Sequence, residues 1–515
     1  MKLISCTFTV LAVLALSVQI PLRAKAALER NDPDAGRTTQ GEPVAASGRG
    51  SAAADVLYGK GFDRSAFEAQ IDRIMREQMD KLSIPGASVS VVKNGEIVYR
   101  KGFGFTDVER SRPVSADSTI FRIGSITKVF TAAALLQLAD SGKIDLDADV
   151  NKYLKKAKVP ETYPVPVTGS ALLTHSAGLD EVTPERRTSD RSKLVPLGDF
   201  LSTRIVRRLP PGLAISYSTY NAAVAGLIVE DVTGRSLHDH FQTEIFKPLG
   251  MNRSSLADVP EKLRPDFAQG YEVDDGKPVP LPFQWFKTYP ASDINSTSSD
   301  MARFLIAILG EGAVKETRIL SRESARAMQE RQFSGHPEIG GYTYGLQEWE
   351  RQGVRWVEHG GSMDDGYSAL LAMIPSEEFG FFVACNTEGG GFGLGNSIKN
   401  MILDKYFPAK PVTTTETYPS KPGELARFAG KYQNDIYCHS CGPDSGAYKP
   451  NPFEVAANDD GTLSFWGAKW RKTGPMLFEL AEGPRAGQVN VAFREDEKKR
   501  ITHFFQEWST FERVP

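Results

Sequence analysis

The chain has 515 residues, enough for two or three domains with substantial cores. Hydrophobic residues at 41% and charged residues at 24% are the proportions of an ordinary soluble globular protein. A formal net charge of -3 gives no overall pull toward nucleic acid or acidic membranes, so a nucleic-acid partner is not expected.

At the N-terminus, Lys2, an apolar run over residues 8–20 and the small-x-small triplet Ala24-Lys25-Ala26 predict a signal peptide over residues 1–26, and with it export to a periplasmic or extracellular space. Arg23 and Lys25 are unusual after the apolar run, and an uncleaved segment would keep the protein near a membrane. Cys6 precedes the apolar run and does not look like a lipid-attachment site. Residues 27–62 lack sustained periodicity and predict a disordered tether. Order is expected to begin with a helix whose stripe is Phe67, Ile71, Ile74, Met75 and Leu82, followed by a hairpin of residues 87–93 and 96–101 around Asn94-Gly95.

The segment Phe121-Arg122-Ile123-Gly124-Ser125-Ile126-Thr127-Lys128 puts a serine at the first turn of a predicted helix and a lysine three residues on, on the same face. A desolvated lysine can take the hydroxyl proton and make the serine a nucleophile. A chain of this length should hold on the order of one or two S-x-x-K matches by chance. Ser90-Val91-Val92-Lys93 is such a match, but it lies on a strand, where residues three apart point to opposite faces. After Lys128, apolar residues at helical spacing run to Ser141-Gly142.

Strands over residues 367–374 and 380–384 and a helix over about 394–406 close the first domain, and early plus late strands around a helical middle suggest one antiparallel sheet flanked by helices. Gly389-Gly390-Gly391-Phe392-Gly393 lacks the lysine and spacing of a phosphate loop and reads as a flexible loop at the active-site rim. Residues 408–420 predict a linker, and short strand-like runs over 428–437, 452–456, 463–466, 489–494 and 502–508 predict a small β-barrel or sandwich across 421–515, with Phe465, Trp466 and Trp470 in its core. Cys438-His439-Ser440-Cys441 has no second ligand pair to complete a zinc site and reads as a disulfide or two free thiols, while Cys385 reads as a buried thiol. His238 and His240 fall on a predicted helix, where residues two apart do not face one another, so no metal is expected, and no cofactor motif is present.

Two further segments give the serine its context. Pro211-Gly212 followed by Tyr217-Ser218-Thr219-Tyr220-Asn221, and Trp356-Val357-Glu358-His359-Gly360-Gly361-Ser362, resemble in order and spacing the second and third motifs of the class C β-lactamase and DD-peptidase family. The blocks Leu172-Leu173-Thr174-His175-Ser176-Ala177-Gly178-Leu179, Pro248-Leu249-Gly250-Met251 and Asp300-Met301-Ala302-Arg303-Phe304-Leu305 agree, and the resemblance spans roughly residues 63–407. It implies a β-lactamase/transpeptidase-like α/β (α+β) domain with an antiparallel sheet and a helical lobe, and the tail looks like the lipocalin-like β domain of some relatives. It further implies that Ser125 is the nucleophile, that Lys128 is a base or a charge stabilising a deprotonated Tyr217, and that Tyr217 relays protons, which requires its pKa to fall well below about 10. The amides of Ser125 and Ser362 correspond to the oxyanion hole, and Thr219, Gly360 and Gly361 to substrate-binding positions.

Two departures bear on substrate. Thr219 stands where the family has an asparagine, and His359-Gly360 where most β-lactamases have Lys-Thr, so a permanent cation is expected to become one titrating near neutrality. The expectation is an exported serine hydrolase of D-amino-acid peptides or esters more than of β-lactams, acting on a small-molecule or peptide substrate. The rival reading is a catalytically weak ligand sensor or partner-binding protein built on the same cleft. All these catalytic groups precede the linker, so the first domain is expected to carry the acylation chemistry by itself.

Overall fold

Asp63 accepts a hydrogen bond from Ala66 N (2.9 Å) and caps the first helix, α1 (Arg64–Lys81). We describe the protein from a computed structural model over residues 56–59, 61–408, 418, 423–445, 447–483 and 485–515. The predicted signal peptide, most of the tether and nearly all of the linker lie outside these residues. The tether's last residues correct the expectation: Leu57 is buried, and Tyr58 and Phe62 stack at 4.4 Å and pack toward Phe67 and Tyr406. The α1 stripe buries Phe67, Ile71, Ile74, Met75 and Met79, but Leu82 is the C-cap residue and is exposed.

Strands β1 (Gly86–Lys93) and β2 (Glu96–Asp107) form the hairpin, with Asn94 and Gly95 both at positive φ as a two-residue turn requires. With β3 (Arg112–Pro113), β4 (Gln347–Arg351), β5 (Val354–Met363), β6 (Tyr367–Ile374) and β7 (Phe379–Cys385) they make one antiparallel sheet in the order β4-β5-β6-β7-β1-β2-β3. The central strands are buried on both faces. On one face lie α1 and α2 (Gly390–Tyr406), whose side chains share a core with Val89, Trp356 and Phe381. The other face carries Ser298–Leu309 and a helical lobe whose core includes Phe130, stacked at 3.8 Å on Phe304.

The glycine-rich segment is not a loop. Gly390, Gly391, Phe392 and Gly393 are the first turn of α2, and a Cβ on Gly391 would lie 2.6 Å from the Ser368 backbone. Glycine there lets the helix start directly against β6, with Gly391 N donating to Ser368 Oγ at 2.6 Å.

Beyond the linker, eight strands close into a barrel around Phe428, Trp470, Phe478, Phe493 and Phe504. Three of its strands, Ala468–Lys472, Leu477–Leu480 and Ser509–Val514, had no counterpart in the sequence reading. Cys438 and Cys441 are disulfide-bonded, and Cys385 is a buried free thiol whose pKa burial pushes up. The barrel docks on the first domain through an apolar cluster of Ala214 and Ile339 with Leu477, Ala492 and Phe505. Beside it, Arg208 pairs with Asp435 and with Glu512 (3.2 Å).

Candidate active site

Ile123 leads into a tight turn in which Gly124 has φ +54°, and the turn Gly124–Ile126 runs straight into the helix Thr127–Asp140. A Cβ on Gly124 would lie 2.9 Å from Ser362 N, and one on Gly361 would strike Ile123 O and lie 3.1 Å from Ser125 N. Glycine at both positions lets β5 lie against the serine turn, bringing the amides of Ser125 and Ser362 to the same contact. Fixed N–H donors at such a junction can stabilise an oxyanion. Gly360 points the other way. Its Cβ would strike the Phe392 ring on α2, so it belongs to the helix-facing side of β5 and not to the substrate side assigned to it from sequence.

Lys128 Nζ donates to Ser125 Oγ at 2.9 Å and to Ala291 O at 3.0 Å. The side chain is only 3% exposed, and burial, partly opposed by Glu181 and reinforced by Arg186, lowers its pKa to about 7. A large fraction of the amine is therefore neutral near pH 7 and can accept a proton. The Tyr217 phenol reaches the same serine hydroxyl, its ring stacked on His175 at 4.3 Å and 5.0 Å from Lys128 Nζ. Burial raises the phenol's pKa above its ordinary value despite the hydrogen bond to Ser125. The expected phenolate is thus corrected: Tyr217 is protonated near neutrality and can donate.

His359 requires a second correction. It is 1% exposed on β5, its Nδ1–H donates to Gly360 O (2.7 Å), and its buried Nε2 has no hydrogen-bond partner among the described residues. Burial, and then the charge of Lys128, lower its pKa to about 3, so it is a neutral imidazole at ordinary pH and not a cation titrating near neutrality. Its ring lies 6.1 Å from that of Tyr217.

Thr219 begins the helix Thr219–Thr233 behind the N-cap residue Ser218. Its hydroxyl donates to Glu181 Oε1 (2.8 Å) and accepts from Arg186 Nη1 (3.1 Å), so it is committed to that pair rather than free for a substrate amide. Glu181 Oε2 also accepts from Thr219 N (2.6 Å) and Ser218 Oγ (3.1 Å), and Arg186 pairs with Glu181. His175 Nδ1 accepts from Ser218 N (3.2 Å) and faces Asn221 Nδ2 (2.9 Å). Sequence reasoning missed Glu181, Arg186 and His175 as site residues. The available signal was position, since His175 lies inside the block over residues 172–179 and the other two follow it.

His238 and His240 do not converge: His240 Nε2 meets Gln137 Oε1 (2.9 Å) and His238 Nδ1 meets Leu256 O (3.3 Å). Among the described residues, Asp435, His439 and Glu512 do bring their ligand atoms within 4.8 Å, but Arg208 already pairs with both carboxylates.

The Beta-lactamase family matches residues 71–399. Curated relatives include "Protein flp" of Staphylococcus aureus (strain N315), 28% identical over 334 residues covering 62% of this chain and 63% of the relative. A "D-aminopeptidase" of Gluconobacter oxydans (strain 621H) is 29% identical over 333 residues, covering 62% and 59%. The chain thus spans about three fifths of the length of these relatives. Among solved structures, the octameric penicillin-binding protein homologue from Pyrococcus abyssi aligns with TM-score 0.55 and 24% identity over 86% of this chain and 99% of that one. SurE aligns with TM-score 0.61 and 19% identity over 88% and 99%. These two likenesses are of fold. The family match covers the nucleophile turn, the Tyr217 segment and the His359 strand together, and the chain belongs to the beta-lactamase family.

Proposed function

We propose that the protein is a serine hydrolase acting through an acyl-enzyme at Ser125. The observation that carries this reading is the 2.9 Å hydrogen bond between Ser125 Oγ and a buried lysine whose pKa is lowered to about 7. Neutral Lys128 takes the hydroxyl proton as Oγ attacks the substrate carbonyl, and the amides of Ser125 and Ser362 receive the oxyanion. Tyr217 passes its proton to the leaving group and is reprotonated from Lys128. Water then cleaves the ester by the reverse transfers.

For the substrate we propose a D-amino-acid peptide or ester, with β-lactam hydrolysis a lesser activity. Support comes from the D-aminopeptidase among the relatives, from a SurE structure described with D-Leu, and from the neutral His359, which offers no cation to a β-lactam carboxylate. We also propose export, on the strength of the signal-like pattern of residues 1–26. The ligand-sensor reading is disfavoured by the intact Ser125, Lys128 and Tyr217 cluster. An alkyl fluorophosphonate should label the wild-type protein at Ser125, located by peptide mass spectrometry, and Ser125→Ala should abolish the label. Labelling that persists in the alanine variant would overturn the assignment.

A further inference from the structure

The barrel reaches the active site through four residues that the acyl-transfer scheme does not use. Cys438 and Cys441 close a short loop by their disulfide, and the two amides inside it point at one buried carboxylate. His439 N donates to Asp180 Oδ1 at 3.0 Å and Ser440 N to Asp180 Oδ2 at 2.8 Å. Asp180 Oδ1 also accepts from Glu181 N at 3.0 Å. One carboxylate therefore ties the barrel loop to the backbone of Glu181.

From there the connections run inward. Asp180 O accepts from Ser218 Oγ at 2.9 Å, and the Glu181 carboxylate holds the Ser218 hydroxyl together with the amide and hydroxyl of Thr219. Tyr217 is the next residue along. Its ring is braced on the other side by His175, which contacts Tyr342 at 5.1 Å, and Tyr342 in turn meets Trp508 of the barrel at 6.2 Å. Arg208 anchors the loop's flank by bridging Asp435 and Glu512. The disulfide-closed loop faces Asp180.

We infer that the disulfide-closed loop of the barrel is a positioning element of the active site, acting through Asp180 and Glu181 on the turn that carries Tyr217. The inference rests on the acyl-enzyme reading above. Asp180 is a positioning residue: it fixes the amide of Glu181, Glu181 fixes the start of the helix that follows Tyr217, and the phenol is held against Ser125. Without the closed loop the two amides are not held toward the carboxylate, and Tyr217 is placed less often for proton transfer. Small misplacements of this kind lower the maximal rate more than they weaken binding.

The test is single-turnover phosphonylation of Ser125 in the full chain by an alkyl fluorophosphonate, in which the Oγ–P bond forms as P–F breaks and fluoride leaves, resolved into a maximal rate and a half-saturating probe concentration, with circular dichroism and melting temperature recorded for each protein. The proteins are wild type, Asp180→Asn, the double variant Cys438→Ser/Cys441→Ser and the triple combination. Each is assayed with and without dithiothreitol, whose two thiols convert the disulfide to two cysteine thiols as it closes to its own cyclic disulfide. The maximal rate should fall about tenfold in Asp180→Asn and in the double variant, on the scale of losing hydrogen bonds to a charged group. Half-saturation should change less than about twofold, and the triple variant should lose nothing more, because its changes act through one contact. Dithiothreitol should slow wild type by a similar factor and leave the double variant unaffected. The inference is overturned if folded Asp180→Asn is phosphonylated at the wild-type rate, or if dithiothreitol slows the double variant as much as wild type. Additive losses in the triple variant would also overturn it. Should a variant fail to fold, the dithiothreitol comparison on wild type decides, and an unchanged rate after reduction refutes the inference. Failure of wild type to label at Ser125 would remove the acyl-enzyme reading itself, and this inference with it.

Discussion

The two sides of the cleft are built in different ways. On the Ser125 side, the nucleophile turn and β5 are placed by main chain meeting main chain, with Gly124 and Gly361 at the contact, Lys128 beneath, and Thr127 Oγ1 accepting from Ile294 N at 3.0 Å. On the Tyr217 side the same job falls to side chains: buried Glu181 and His175 and half-buried Arg186 hold the turn, and Asp180 carries the connection to the barrel. A backbone contact has no rotamers and is destroyed by a single methyl group. A network of buried hydrogen bonds is made of separate contacts and can be weakened one contact at a time. Catalysis needs both sides, and on the second the connection to the barrel runs through the Asp180 carboxylate.

The largest effect expected is on the Ser125 side. Replacing Lys128 by methionine keeps the volume and removes the base, and should slow acylation by roughly a thousandfold, within the range for losing a general base. In wild type only the neutral amine accepts the serine proton, so the rate should rise with pH through about 7, where burial has placed the Lys128 pKa. Because burial raises the Tyr217 pKa, no falling limb should follow until strongly alkaline pH. The methionine variant should lose the rising limb. A pH-rate profile flat from pH 5 to 9 in wild type would mean that Lys128 is charged or neutral throughout and does not titrate as the base.

Gly361→Ala tests the backbone contact itself. The added methyl would strike Ile123 O and crowd Ser125 N, neither of which can move without displacing the nucleophile turn or β5. Loss of one oxyanion donor costs about 10²–10³ in rate, and a fall of at least about a hundredfold is expected, with Lys128 still in place. The loss should be the same before and after reduction of the barrel disulfide, since the two sides are held independently. A rate within threefold of wild type would show that the close approach is not what sets the site.

Much of the Ser125 side was legible in the sequence, because its information is local. Ser125 and Lys128 are one helical turn apart, and the glycines that matter sit inside the motifs that carry the chemistry. The Tyr217 side was legible only in its motif. Glu181 is 38 residues from Thr219, and Asp180 is 259 from His439, so the contacts that commit Thr219 and tie in the barrel have no sequence period. The helix start at Gly390 was misread because glycine runs usually mark loops, and here the reason for glycine is Ser368 on a strand earlier in the chain. The strands Ala468–Lys472, Leu477–Leu480 and Ser509–Val514 are short and carry charged residues, which hid them among turns. Residue type gave the chemistry of His359 and Tyr217 but not their burial, and burial decides their charge.

His359 lies between the two sides and gives the smallest effect. As a neutral imidazole with Nδ1–H bonded to Gly360 O and Nε2 unpartnered among the described residues, it brings an acceptor and a ring surface near Tyr217 but no charge. Glutamine can supply a neutral acceptor of similar reach, so His359→Gln should lose less than about tenfold in acylation rate, the scale of one hydrogen bond. The sign of the pH effect is the sharper test. With a pKa lowered to about 3, His359 carries no charge on either side of the Lys128 midpoint, so its removal should leave the rising limb near pH 7 in place and of the same steepness. Were His359 a cation near neutrality, its positive charge would be helping to hold the Lys128 pKa down, and glutamine would move the limb to higher pH. It would also give wild type a falling limb between pH 5 and 8 toward substrates that bear a carboxylate, and that limb would vanish in the variant. Matched pH-rate profiles of wild type and His359→Gln, with a neutral ester and a carboxylate-bearing substrate, separate the two cases: superimposable midpoints mean a neutral histidine, and a midpoint raised by half a unit or more means a charged one.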